Sequence, residues 1–300
     1  MTLSNNAIAL LKSLLYYDVF KHPLKAEEMA PYSSGHVQND LEFLCQNKFI
    51  NQHKGFYYLG NDESIISKRI KGTRLARKYL EKVHVHAKWI SKLPFVRCIC
   101  ISGSLSKYYM GEKSDVDYFI ITDSDRLWIV RFVLTVICKS LSLLRAKKYL
   151  CPNYIIANDD LEIKDKNIFT ATEIATLLPL YNYSAYHDFL DANGWIKDYV
   201  PHFEPKEDGT LSGTIKESSK HSLFTKTNDF LFQLYSSHYR RKFAFAFVGD
   251  TTFKIIVEKK CYKFHCTPGH RNKILDKFEE NVRNYETKFD VQLSFQPVFN

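Results

Sequence analysis

Two apolar runs, joined by a glycine turn and a pair of carboxylates, constrain this chain more than any other feature. FVRCICI at 95–101 and VDYFIIT at 116–122 both read as strands, and ISGSLSKYYMGEKSDVDYFIIT spans the connection between them. Gly103 follows the first strand, where a residue without a Cβ lets the chain turn and lets an anion approach the backbone. Ser104 offers a hydroxyl, and the amides after it can form an anion-binding nest. A short helix starting near Ser104 to Ser106 would aim its positive end at the same place. Asp115 and Asp117 lie two residues apart at the start of the second strand, so both carboxylates share a face. Two like charges held together call for cations, and magnesium (or manganese) with nucleotide phosphates supplies them. The plainer alternative is a surface loop whose SDVD caps a strand.

The flanking segments predict an α/β (α+β) core with a mixed sheet over 94–200. A long helix is expected over 126–146, then a strand over 149–157 (YLCPNYIIA) and a short strand and turn in LEIKDKNIFT. TATEIATLLPLY and SAYHDFLDANG read as helices. Lys107 lies near the glycine turn and is placed to neutralise phosphate. Arg126, near a helix start, is a second candidate for that role. Arg131, inside an apolar helix, either snorkels or pairs with an acid, and Trp128 reads as core. The segment 201–222 is polar and reads as a linker or loop. The region 223–300 is expected to be mostly helical, with helices at 223–240 and 268–287, a strand-like stretch at 243–265, and packing on the core.

Ahead of the core, residues 1–60 predict three helices and a small hairpin. Apolar positions at Ala7, Ile8, Leu11, Leu14 and Leu15 mark the first helix, and Leu24 to Ala30 the second. Val37, Leu41 and Leu44 mark the third, with Ser34 as its cap. KFINQHKGFYYLG then alternates around Lys54-Gly55. This is the order of a winged-helix-like domain. The third helix presents Gln38, Asn39, Asp40 and Glu42, a poor set for reading DNA phosphates and base edges. Residues 61–93 form a basic connecting helix, carrying Lys68, Arg69, Lys71, Arg74, Arg77 and Lys78, and Gly72 is a place for it to bend. That helix is either a solvated face or a surface for a polyanionic partner.

The strand, turn and acid pair resemble the DNA polymerase beta-type nucleotidyltransferase superfamily, in which a glycine followed by Gly or Ser leads through a short helix to an Asp-x-Asp or Asp-x-Glu strand. LLYYDVFKHPLKAEEM, LPFVRCICISGSLS, SDVDYFIITDSDRLWIVR, YLCPNYII and NIFTATEIATLLPL extend the likeness over roughly 8–200, toward bacterial winged-helix-fused nucleotidyltransferase-like proteins. The resemblance implies transfer of a nucleoside monophosphate from an NTP, ATP among the candidates, to a hydroxyl, with pyrophosphate leaving. Asp115 and Asp117 would hold magnesium, while Gly103 and Ser104 hold the phosphates. The acceptor implied is an RNA 3′ end, a protein side chain, a small alcohol or another nucleotide. The superfamily carries a third carboxylate on a neighbouring strand, but here Asn153 takes that position. An amide can ligate metal weakly and cannot act as a base. Glu162, in LEI, is the first substitute, with Asp159 and Asp160 behind it. The rival reading is a catalytically weak nucleotide-binding regulatory protein acting on DNA or a protein partner.

A net charge of +9 tilts the expected partner toward nucleic acid or another anion. The seven cysteines show no zinc spacing, and Cys98 and Cys100 share one strand face. Scattered cysteines, no signal-like start and no membrane-length apolar run fit a cytoplasmic protein with no membrane partner.

Overall fold

The computed structural model describes residues 3–34, 37–143, 150–206, 222–242, 256–263 and 270–293. It is a mixed α/β structure that packs as two compact units. One comprises Met1–Lys71, Ile196–Glu204 and Arg271–Asn300, and the other Gly72–Trp195 and Pro205–His270.

The first unit begins with α1 (Asn5–Asp18), α2 (Ala26–Met29) and α3 (Val37–Gln46), followed by strands β1 (Asn51–His53) and β2 (Phe56–Tyr58). Ser4 caps α1 by accepting from the Ala7 amide at 3.0 Å, and Leu10, Leu11, Leu14 and Leu15 are buried along the helix. Lys54 and Gly55 both take positive φ, which suits the right-handed twist of a two-residue hairpin turn. Three helices and a hairpin thus stand in the order the sequence predicts. The Ser34 hydroxyl donates to Asn6 Oδ1 at 2.9 Å. Its expected capping of α3 turns on residues 35–36, which lie outside the described residues. The last helix, α10 (His270–Phe289), supplies most of its length to this unit. Its Tyr285 hydroxyl donates to the Phe49 carbonyl at 2.6 Å, and Phe278 meets Tyr16 edge-on. Of the expected C-terminal region, Leu231 and Tyr239 join the core of the sheet unit, while most of this last helix belongs to the first unit.

Among the described residues, the second unit is built on a six-stranded mixed sheet. Its strands are β3 (Val96–Ser102), β4 (Asp117–Thr122), β5 (Cys151–Ala157), β6 (Leu178–Tyr181), β7 (Ile256–Val257) and β8 (Cys261–Lys263), in the order β6-β3-β4-β5-β8-β7. Only β4 and β5 run parallel; the other neighbours are antiparallel. Ile99, Ile101, Tyr118, Ile120 and Ile155 face one core. There they meet Ala76, Val83 and Ala87 of α4 (Ser64–Ile90), Trp128 and Leu134 of α6 (Leu127–Leu143), and Leu231 and Tyr239 of α9 (Ser222–Lys242). Phe119, one step out of phase, faces the other side and packs on Phe189 of α8 (Tyr183–Ala192) with ring centroids 4.7 Å apart.

The helix α4 runs unbroken through Gly72. That glycine makes room for the Tyr109 ring, which a Cβ would strike, and its carbonyl accepts from the Met110 amide at 3.2 Å. Among the described residues, Arg131 meets phenols and not an acid. It donates to the Tyr262 hydroxyl at 2.8 Å and lies 4.3 Å from that ring's centroid. Trp128 is buried as expected, and its amide is capped by Asn228 Oδ1 at 2.8 Å.

Two segments differ from expectation. LPLY is not the end of a helix: α7 stops at Ala175 (Ile168–Ala175), and Leu178–Tyr181 pairs with β3 as an edge strand. An edge tolerates Pro179, because one N–H there has no ladder partner to lose. Residues 158–167 contain no strand. The buried Asn193 amide instead holds this segment, accepting from the Ile163 amide at 2.8 Å and donating to the carbonyls of Leu161 (2.9 Å) and Phe189 (2.8 Å).

Candidate functional site

Antiparallel pairing of β3 and β4 sets Ser102 opposite Asp117. The chain leaving β3 therefore turns at Gly103 beside the start of β4. Gly103 has φ +66, and its Cα lies directly against the Asp117 carboxylate. The four-residue helix α5 (Gly103–Ser106) follows, as the motif predicts. The Gly103 carbonyl is held twice, by Ser106 Oγ at 2.8 Å and by Lys107 Nζ at 3.1 Å. Ser104 is half-buried, and its carbonyl accepts from the amides of Lys107 and Tyr109.

Val116, fully buried between the two acids, fixes their direction. Its carbonyl accepts from the Cys151 amide at 2.9 Å, which extends the β4–β5 ladder back by one residue. Asp115 and Asp117 flank it, Asp115 exposed and Asp117 half-buried. Asp117 titrates far above a normal carboxyl, at about 7. Burial is the main cause, and the nearby charges of Glu173 and Asp115 add to it. The Cys151 thiol, hydrogen-bonded to the carboxylate, and the Lys107 ammonium pull the other way.

Glu173, on α7, is the site residue that sequence reasoning missed. Lys107 Nζ lies 2.7 Å from its Oε1. Ser106 Oγ stands 3.4 Å from Thr176 Oγ1, so α5 and the end of α7 are joined at two points. Glu173 is the one acid in NIFTATEIATLLPL, which was the available signal.

The structure thus brings Gly103, Ser104, Lys107, Asp115 and Asp117 to one end of the sheet. It leaves Arg126 and Glu162 elsewhere. Arg126 follows the far end of β4, and five residues of strand at ~3.3 Å each separate that end from Asp117. It is buried, stacks between Phe95 and Phe224 at 5.4 and 5.7 Å, and donates to the Asp125 carbonyl and Thr225 Oγ1. It packs that end of the sheet, away from the Gly103 turn. Glu162 is exposed and ion-paired to Lys166 at 2.8 Å, which lowers its pKa. It does not enter the acid cluster. Asp159 is likewise drawn off, by Lys260 at 2.9 Å.

Asn153 needs a finer correction. The β4–β5 register pairs Asp117 with Cys151 and Tyr118 with Pro152, then skips to Phe119 with Tyr154. Asn153 is the extra residue of this bulge, and the strand position beside Asp117 belongs to Cys151.

Among the described residues, no three of His, Cys, Asp and Glu gather into a metal site of their own. Two carboxylates fit a magnesium or manganese ion that takes its remaining oxygens from phosphate and water. No helix among the described residues is long and apolar enough to cross a membrane. Comparison with protein-family models, with curated proteins and with solved structures finds no match to this chain.

Proposed function

We propose that the sheet unit is a magnesium- or manganese-dependent nucleotidyltransferase of the polymerase-beta type, moving a nucleoside monophosphate from an NTP to an acceptor hydroxyl. The observation that carries this reading is the apposition of Gly103 and Asp117. A turn with bare backbone and a half-buried carboxylate meet at one sheet end, with Asp115 one alternation away. When bound, the cation supplies charge neutralisation for the triphosphate and a lowered pKa for the acceptor hydroxyl. Asp115 and Asp117 would hold it. Gly103 gives the phosphates access to the backbone, and Ser104 offers them a hydroxyl. Lys107 brings a positive charge beside them, on a side chain already fixed to the Gly103 carbonyl. The raised pKa of Asp117 suits this role, since a cation in place would favour its ionised form. We read the helices and hairpin of the first unit as a winged-helix-like module that presents or gates the acceptor.

One observation favours a second reading. The strand neighbour of Asp117 is Cys151, not an acid, so β5 supplies no base for the acceptor hydroxyl. A protein that binds the nucleotide and transfers slowly would look the same. The deciding experiment incubates the protein with magnesium or manganese and each labelled nucleoside triphosphate. Pyrophosphate release that vanishes in Asp115→Ala and Asp117→Ala supports the transferase. Nucleotide bound tightly and never cleaved supports the regulatory protein.

A further inference from the structure

Between Gly72 and Ile90, α4 buries Ala76, Tyr79, Val83, Ala87 and Ile90 against the sheet. Its opposite face carries Arg74, Lys78, Lys82, Val85 and Trp89, all exposed, at steps of three and four residues. They form one line about 22 Å long at ~1.5 Å per residue. Arg77 and Lys88 flank it, also exposed, and Glu81 is the one acid of the whole helix. Like charges four residues apart weaken a helix by a few tenths of a kcal/mol per pair. A face kept only for solubility would mix signs to avoid that cost. At the end of the line Trp89 is 66% exposed, and Lys92 Nζ lies 4.8 Å from its ring centroid.

We infer that this face binds a single-stranded polynucleotide, with phosphates along Arg74, Lys78 and Lys82 and an unpaired base on Trp89. The cations supply a track for a linear polyanion. The indole supplies a stacking platform that only an unpaired base can use. A membrane surface fits worse, because an interfacial helix needs an apolar face along its length, and the apolar face of α4 is buried under the sheet. One end of the line is tied to the segment that leads into the candidate site. Met110 and Tyr109, in the segment leading to Asp115, are anchored on Gly72, two residues before Arg74. That the bound strand is also the acceptor rests on the nucleotidyltransferase reading; its binding does not.

The test titrates the full chain into fluorescent oligouridylate and oligothymidylate, a duplex of equal length, and anionic phosphatidylglycerol vesicles. Both single strands are expected to bind, since phosphate and base face are common to them. Arg74→Gln with Lys78→Gln and Lys82→Gln should weaken binding at least tenfold and flatten the slope of log affinity against log salt by roughly 2. Trp89→Ala should weaken it about tenfold with the slope unchanged. Unaltered affinity in the triple variant, duplex binding as tight as single-strand binding, or preference for the vesicles would overturn the inference. Single-strand binding lost in the triple variant, by a wild-type protein that releases no pyrophosphate, would leave this surface standing and remove the transferase reading alone.

Discussion

Asp117 packs its carboxylate against the Cα of Gly103 so closely that a methyl group on that carbon would stand 2.5 Å from Oδ2. Gly60 offers the matched control, with φ +73 and nothing within 4 Å of the same added carbon. Gly60→Ala should cost about 1–2 kcal/mol, the strain of a left-handed residue alone. Gly103→Ala should cost that and about 1–3 kcal/mol more for the displaced carboxylate, and it should abolish nucleotide binding. Urea denaturation of both variants gives the comparison. Equal losses would mean that the contact with Asp117 imposes nothing.

A carboxyl that titrates near 7 when folded, against an ordinary 3.8, makes the folded protein the better proton binder between those values. Stability therefore falls as pH rises from about 4 to about 7 and stays lost above that. Asp117→Asn removes the penalty. In a chelating buffer it should raise the melting temperature at pH 8 and leave it nearly unchanged at pH 4. Each unit of displacement is worth about 1.4 kcal/mol, which sets a ceiling near 4 kcal/mol. A variant that melts below the wild type at pH 8 would contradict this account of the site.

Lys107 and Glu173 act on Asp117 with opposite signs. Glu173→Gln should move the Asp117 titration to lower pH, and Lys107→Met should move it higher. Carboxyl-carbon NMR against pH reads both shifts directly. Parallel shifts in the two variants would show that a rearrangement of α7, and not charge, controls the titration.

Arg126 separates fold from function. Its stacking between Phe95 and Phe224 and its bond to Thr225 predict that Arg126→Ala costs on the order of 2–3 kcal/mol. Nucleotide affinity, measured by calorimetry below the melting range, should change less than twofold. A large loss of affinity in a stably folded variant would return Arg126 to the phosphates.

The local parts of this structure were readable because local chemistry decides them. The apolar runs FVRCICI and VDYFIIT, a glycine at the turn and acids two apart depend on near neighbours only, and so does the Lys54-Gly55 hairpin. What the sequence did not disclose depends on pairing at a distance. LPLY is a strand because β3 is there to receive it, and a four-residue run with a proline has no strand signature of its own. Glu173 meets Lys107 across 66 residues, from a helix whose pattern marks only its buried face. The bulge at Asn153 moves the β5 partner of Asp117 by one residue, from Pro152 to Cys151, and such a one-residue slip changes which side chain takes a position. Arg126 was readable after all. A residue that follows a strand lies at the end opposite the residues that open it.

The proline of β6 has a bearing on how this chain behaves at high concentration. Hydrophobic residues make up 45% of it, and the open edge of a sheet is a template on which another copy can extend the ladder. Here that edge is four residues long, and all four residues are buried, so its outer side is covered by the rest of the chain. A strand so short and so covered gives a second chain little to pair with. Replacing Pro179 with valine would add an N–H inside the covered edge, and the protein's tendency to aggregate is expected to stay as it is.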